Sequence, residues 1–220
     1  MVLHPRFHPP PGADARRRVR EELGLPADRF TLLLLYGGKG APEMHPLAQG
    51  LLASCPQASV IAVCGDNARL LARMKALGGA DPGRLHPMGF TTRVAELMAA
   101  SDLVVTKPGP GSLAEALHLR VPVIVTENAF TVPQERANAR WVEREGLGFV
   151  VHAWREIPAL AAELAAAPAR LDGVRARLQS LPENRALDEV LAVLEGLVAE
   201  RRLRPADVAP ALTAQPAASL

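Results

Sequence analysis

Aromatic residues are scarce in this chain of 220 residues: they make up 4% of it, so aliphatic side chains must fill any core. Cysteine is rarer still. Cys55 and Cys64 are too few and too widely spaced for a zinc site or a disulfide framework, and a reduced, cytoplasmic setting is expected. Lysine is nearly missing, since only Lys39, Lys75 and Lys107 stand among the 25 basic residues, a bias that names no partner. Against 23 acidic residues the net charge is +2, which argues against a dedicated nucleic-acid binder. No apolar run approaches the roughly 18 residues of a membrane span, and Met1-Val2-Leu3-His4-Pro5 has nothing of a signal peptide. The six histidines show no metal-binding spacing, and there is no Asp-x-Asp, the usual metal–diphosphate device of one nucleotide-sugar transferase fold. Walker, G-x-G-x-x-G and G-x-S-x-G patterns are all missing, which removes a P-loop NTPase, the dinucleotide fingerprint and a serine hydrolase elbow.

What is present is ample apolar material, 49% of residues against 22% charged, enough for one globular domain. Residues 1–12, with Pro5, Pro9, Pro10 and Pro11, read as an extended lead-in. A helical pattern over 14–23 ends at Gly24, and 30–36 (FTLLLLY) is an unbroken apolar run closed by Gly37-Gly38. A strand apolar on both faces belongs in a parallel sheet covered by helices. The unit repeats. Helices are expected over 44–53, 67–77, 92–100, 112–119 and 134–145, and strands over 59–64, 84–88, 103–106, 121–126 and 149–151. Such alternation gives right-handed βαβ crossovers, hence a Rossmann-like, doubly wound α/β sheet of about six parallel strands. Helices over 158–167, 169–178 and 187–201 follow, so the domain is expected to span 13–203, and the Ala/Pro-rich stretch 204–220 reads as a disordered tail.

Ligands of such a sheet bind at the carboxyl ends of the strands, where helix N-termini favour anions. Three loops there carry suitable groups. Tyr36-Gly37-Gly38-Lys39-Gly40 allows close backbone approach and adds one cation, though an ordinary glycine-rich turn reads the same way. In Thr106-Lys107-Pro108-Gly109-Pro110-Gly111-Ser112, two prolines stiffen a loop whose glycines open backbone amides. Ser112 can face a phosphate and Glu115 can accept from ribose hydroxyls, or the two can form a plain capping box. In the third, 128–138 (NAFTVPQERAN), Gln134, Glu135 and Asn138 offer hydroxyl-binding groups, while Glu135 also suits a first helical turn. Phe90 after Gly89 can stack on a base or serve as core. Cys64 reads as a buried strand residue.

At these loops the sequence resembles the C-terminal, donor-binding domain of the GT-B glycosyltransferases of family 28. Within that group it is most similar to monogalactosyldiacylglycerol synthases and processive diacylglycerol glucosyltransferases. The matching stretches are LLLLYGGKGAPEM, VIAVCGDNARL, MGFTTRVAELMAASDLVVTKPGPGSLAEAL and VPVIVTENAFTVPQERANARWVEREGLGFVV, covering about residues 25 to 151. TKPGPGSLAEA is the most specific of them, and LHPRF is similar to the family's interdomain connector. The resemblance implies a UDP-hexose donor and no metal or other cofactor. Gly37, Gly38 and Lys39 would then approach the diphosphate, and Phe90 and Thr91 would hold the uracil. Gly109, Pro110, Gly111 and Ser112 would bind phosphate, Glu115 the ribose, and Gln134, Glu135 and Asn138 the sugar.

In the family, the acceptor pocket and catalytic base belong to a preceding domain, so no catalytic residue is assigned here. The expectation is the donor half of an inverting hexosyltransferase acting on a lipid acceptor such as diacylglycerol. Its other half would be missing from a fragment or carried by a separate chain, with peripheral membrane association at the inner face through that partner. A nucleotide-sugar epimerase or hydrolase of the same fold, or a non-enzymatic nucleotide-sugar-binding subunit, are the alternatives.

Overall fold

The computed structural model describes residues 1–80 and 83–200. The stretch expected to be a tail lies outside the described residues. The chain divides into two units, one over Leu3–Glu183 and one of Met1–Val2 with the chain from Asn184 onward. Among the described residues, the first holds eight α-helices and all six strands. In chain order these are α1 (Ala13–Glu22), β1 (Phe30–Leu35), α2 (Met44–Ser54), β2 (Ala58–Val63), α3 (Ala68–Gly79), β3 (Leu85–Met88) and α4 (Val94–Ala100). There follow β4 (Leu103–Thr106), α5 (Pro110–His118), β5 (Val123–Thr126), α6 (Pro133–Arg144), β6 (Gly148–Val151), α7 (Ile157–Ala166) and α8 (Pro168–Gln179). In the second unit α9 (Ala186–Glu200) begins beside Asn184, whose amide donates to the Met1 carbonyl at 3.0 Å.

The six strands are all parallel, in the order β3-β2-β1-β4-β5-β6. The apolar run of β1 has a physical reason: alternate residues face opposite layers. Leu32 and Leu34 pack with Met44, Leu47 and Leu51 of α2 and Ile157 and Leu164 of α7. Leu33 and Leu35 pack with Leu97 and Met98 of α4, Leu113 and Leu117 of α5, and Val142 of α6. Both cysteines are buried, and burial pushes the Cys64 thiol up to about 11.

The amino ends of β1 and β4 are tied by an ion pair between the buried Arg20 and the partly buried Asp102. Arg20 donates to Asp102 Oδ2 at 3.0 Å, to Thr31 Oγ1 and to the carbonyls of Ala27, Arg29 and Ala100. Asp102 also accepts from the Thr31 amide at 2.9 Å. Both charges are thereby compensated by several hydrogen bonds, the condition for burying them.

Two local expectations change. The lead-in is not extended throughout: Pro5–Phe7 forms a 3-10 turn, and Leu3 and Phe7 are buried in the layer of α4 and α5. The fifth helix starts at Pro110 rather than Ser112, because proline is preset for a first helical position and its missing N–H costs nothing there. Elsewhere the helices and strands agree with expectation to within two residues at their ends.

Candidate functional site

The strand order reverses direction between β1 and β4, so their carboxyl ends bound the crevice where an open α/β sheet takes its ligand. Leu35 and Thr106 are the last paired residues of these strands. The loops led by Tyr36 and Lys107 therefore leave the sheet side by side.

The β1 loop is shaped by glycine. Gly37 (φ 79°) and Gly40 (φ 58°) adopt left-handed backbone, and the Gly40 amide closes a turn on the Gly37 carbonyl at 3.2 Å. The β2 loop then clamps it. Asp66 N–H donates to the Gly38 carbonyl at 2.9 Å, and Gly65, also left-handed (φ 59°), lies so close that a Cβ would strike Gly38. Asn67 Nδ2 reaches the Lys39 carbonyl at 3.3 Å. With its carbonyls held from behind, the loop leaves Gly37, Gly38 and Lys39 exposed, and nothing stands within 4 Å of a Cβ at Gly38.

The β4 loop delivers an uncapped helix. Gly109 is the N-cap of α5 and has no side chain to offer, Pro110 follows, and the N–H groups of Gly111 and Ser112 fall in the first turn, where no helical carbonyl can accept them. Ser112 is thus the third helical residue, so the capping-box reading of Ser112 and Glu115 fails. What remains is a short row of free donors and a helix dipole aimed into the crevice. From α6, Asn138 Nδ2 donates to the Pro108 carbonyl at 2.8 Å, committing its amide nitrogen to the loop. A Cβ on Gly109 would sit 3.4 Å from Glu135 Oε1, so that carboxylate borders the start of α5. Gln134 is exposed beside it.

Glu115 lies one turn along α5, half-buried. Burial raises its carboxyl above the ordinary value, and the Arg6 guanidinium opposes that rise. Arg6 also donates to the Thr92 carbonyl at 3.3 Å, so the amino-terminal turn lies against both Glu115 and the loop after β3. On that loop Phe90 is 67% exposed, which removes its core reading, and Thr91 Oγ1 accepts from the Arg93 amide. Sequence reasoning missed Arg6, because only the tertiary seat of Phe7 brings it here. It also missed Gly65 and Asp66 as the support behind the glycine loop. A glycine at each of two successive strand ends was the available signal.

Beyond β4 the ends of β1, β5 and β6 frame a cleft of about 610 Å³ lined by Tyr36, Lys107, Thr126, Glu135, His152 and Trp154 among others. Phe130 stands at its rim, 95% exposed. Among the described residues no three His, Cys, Asp or Glu side chains gather as a metal site would need. Nor, among those residues, is any helix long and apolar enough to cross a membrane.

The sequence model of the family described as "Glycosyltransferase family 28 C-terminal domain" matches residues 31–170, well over half of the chain. The chain is 29% identical over 170 residues to the probable chloroplastic monogalactosyldiacylglycerol synthase of Glycine max, covering 74% of this chain and 31% of that protein. It is 30% identical over 166 residues to the processive diacylglycerol beta-glucosyltransferase of Bacillus licheniformis, covering 74% and 42% respectively. The chain thus spans less than half the length of these relatives. Among solved structures, Anabaena Alr3699/HepE in complex with UDP superposes with a TM-score of 0.64 at 21% identity, over 86% of this chain and 54% of that one. That likeness shows a shared fold.

Proposed function

This chain belongs to the glycosyltransferase family 28 C-terminal domains, and on that premise we propose that it binds a UDP-hexose as the donor half of an inverting transferase serving a lipid acceptor. The observation that carries the reading is the uncapped start of α5 at the β1/β4 switch point, facing a glycine loop clamped from behind. The N–H groups of Gly111 and Ser112 would hold the diphosphate, with Gly37, Gly38 and Lys39 closing over it. Phe90 and Thr91 would take the uracil, Glu115 the ribose hydroxyls, and Gln134 and Glu135 the hexose. Asn138 would contribute by fixing the loop, its amide nitrogen being spent on the Pro108 carbonyl rather than left free for the sugar.

The chemistry follows from where charge develops. In an inverting transfer the acceptor oxygen attacks the anomeric carbon while the bond to the diphosphate breaks, and negative charge grows on the departing UDP. Preorganised amides and a helix dipole stabilise that charge in place, without a metal ion. By the family resemblance, the catalytic base and the acceptor pocket would lie in the part of the relatives that this chain does not cover. The chain by itself is then expected to bind donor without transferring it. Relatives named as a diacylglycerol glucosyltransferase and a monogalactosyldiacylglycerol synthase support a lipid acceptor.

Isothermal titration tests the reading. UDP is expected to bind saturably, and uridine, which lacks the diphosphate, at least about tenfold more weakly. Absence of saturable UDP binding, or equal affinity for uridine, would overturn it.

A further inference from the structure

The cleft framed by β1, β5 and β6 has a floor that the diphosphate reading leaves unused. Tyr36 is 5% exposed, and neither its hydroxyl nor that of Thr126 has a hydrogen-bond partner, although both side chains line the cleft. The Tyr36 ring follows β1 and reaches past the end of β4 to the last residue of β5. There the Thr126 hydroxyl tempers the rise that burial imposes on the phenol's pKa, yet the two make no bond of good geometry. Orphaned buried hydroxyls are uncommon, because each has given up water and received nothing back. A pair of them beneath an open cleft is a place prepared for a hydroxyl-bearing ligand.

The walls narrow the choice. Glu43 and Glu135 stand against Lys107 and Arg155, two charges of each sign, so the cleft favours a neutral polyol over a uronate or a cationic amino sugar. On its far side His152 Nδ1 lies 3.0 Å from the Glu127 carbonyl, and the Arg155 guanidinium stacks 4.6 Å from the centre of the neighbouring Trp154 ring.

We infer that Tyr36 is a specificity-determining residue, its phenol and the Thr126 hydroxyl forming a pair that one hydroxyl of a neutral hexosyl group completes. The inference rests on the UDP-hexose reading above and extends it to residues outside the three strand-end motifs.

The test compares the unaltered chain with the isosteric variants Tyr36→Phe and Thr126→Val, each titrated with UDP, UDP-glucose and UDP-galactose and melted without ligand. Tyr36→Phe is expected to melt no lower than the unaltered chain and to bind UDP within about twofold of it. It is expected to lose about tenfold on the better-bound UDP-hexose, changing the ratio between the two, and Thr126→Val moves the same way. Unchanged hexose affinities in both variants, an unchanged ratio, or an equal loss on UDP itself would overturn the inference. If the unaltered chain takes up no UDP, the donor reading falls and this one with it. If it binds UDP while the variants discriminate as before, only this one falls.

Discussion

Asn138 Nδ2 donates to the Pro108 carbonyl at 2.8 Å, which fastens the second turn of α6 to the loop that launches α5. The residue stands in a motif that reads as sugar-binding, yet its amide nitrogen secures the aim of another helix. Asn138→Ala is therefore expected to cost about 1 kcal/mol of stability and to weaken UDP as well as UDP-hexose, because the start of α5 loosens. Denaturant melts and titrations with both ligands measure this. Weaker UDP-hexose binding with UDP untouched would return Asn138 to the sugar.

Two glycines that nearly touch are expected to behave in opposite ways. At Gly38 a methyl group meets nothing within 4 Å, so Gly38→Ala should fold normally while losing about tenfold in UDP affinity, because the methyl occupies the path of the diphosphate. At Gly65 the backbone is left-handed (φ 59°) and the methyl would strike Gly38, so Gly65→Ala should lose at least about 1–2 kcal/mol of stability. Thermal melts and calorimetry on the pair separate the two effects.

Glu115 sets stability against binding. Burial raises its carboxyl above the ordinary range, so the folded chain takes up the proton at a higher pH than the unfolded chain does. The stability owed to this group is accordingly present at low pH and declines as pH rises through that window. Donor binding runs the other way, since only the ionised carboxylate accepts both ribose hydroxyls. UDP affinity is expected to fall as pH drops through the same window. Glu115→Gln should flatten both profiles and, at neutral pH, weaken UDP by about 1–3 kcal/mol without loss of stability.

Phe90 is 67% exposed, so it contributes little to the core. Phe90→Ser is expected to leave stability within about 0.5 kcal/mol while weakening UDP by about 1–3 kcal/mol through lost stacking on the base. An unchanged affinity would detach the uracil from this loop.

Much of this architecture is legible in the sequence because each β1-type run must be apolar on both faces. That necessity marks Phe30–Leu35 and its neighbours without any tertiary knowledge. The strand ends follow from it, and with them the glycine loop and the start of α5. Ser112 misled because serine followed by glutamate at the fourth position is a common helix opening, whereas Pro110 two residues earlier had already fixed φ for the first turn. Arg6 was invisible for another reason: only the burial of Leu3 and Phe7 folds the proline-rich lead-in against α4 and α5. The Tyr36 and Thr126 side chains come near one another past the end of β4, a relationship set by strand order and not by spacing along the chain.

The most direct measurement follows the backbone amides of Gly111 and Ser112 by nitrogen–proton NMR as UDP is added. If the uncapped start of α5 holds the diphosphate, both resonances move downfield and saturate with the ligand, and uridine leaves them in place. Stationary Gly111 and Ser112 amides under saturating UDP, with the response gathered elsewhere on the chain, would contradict the account.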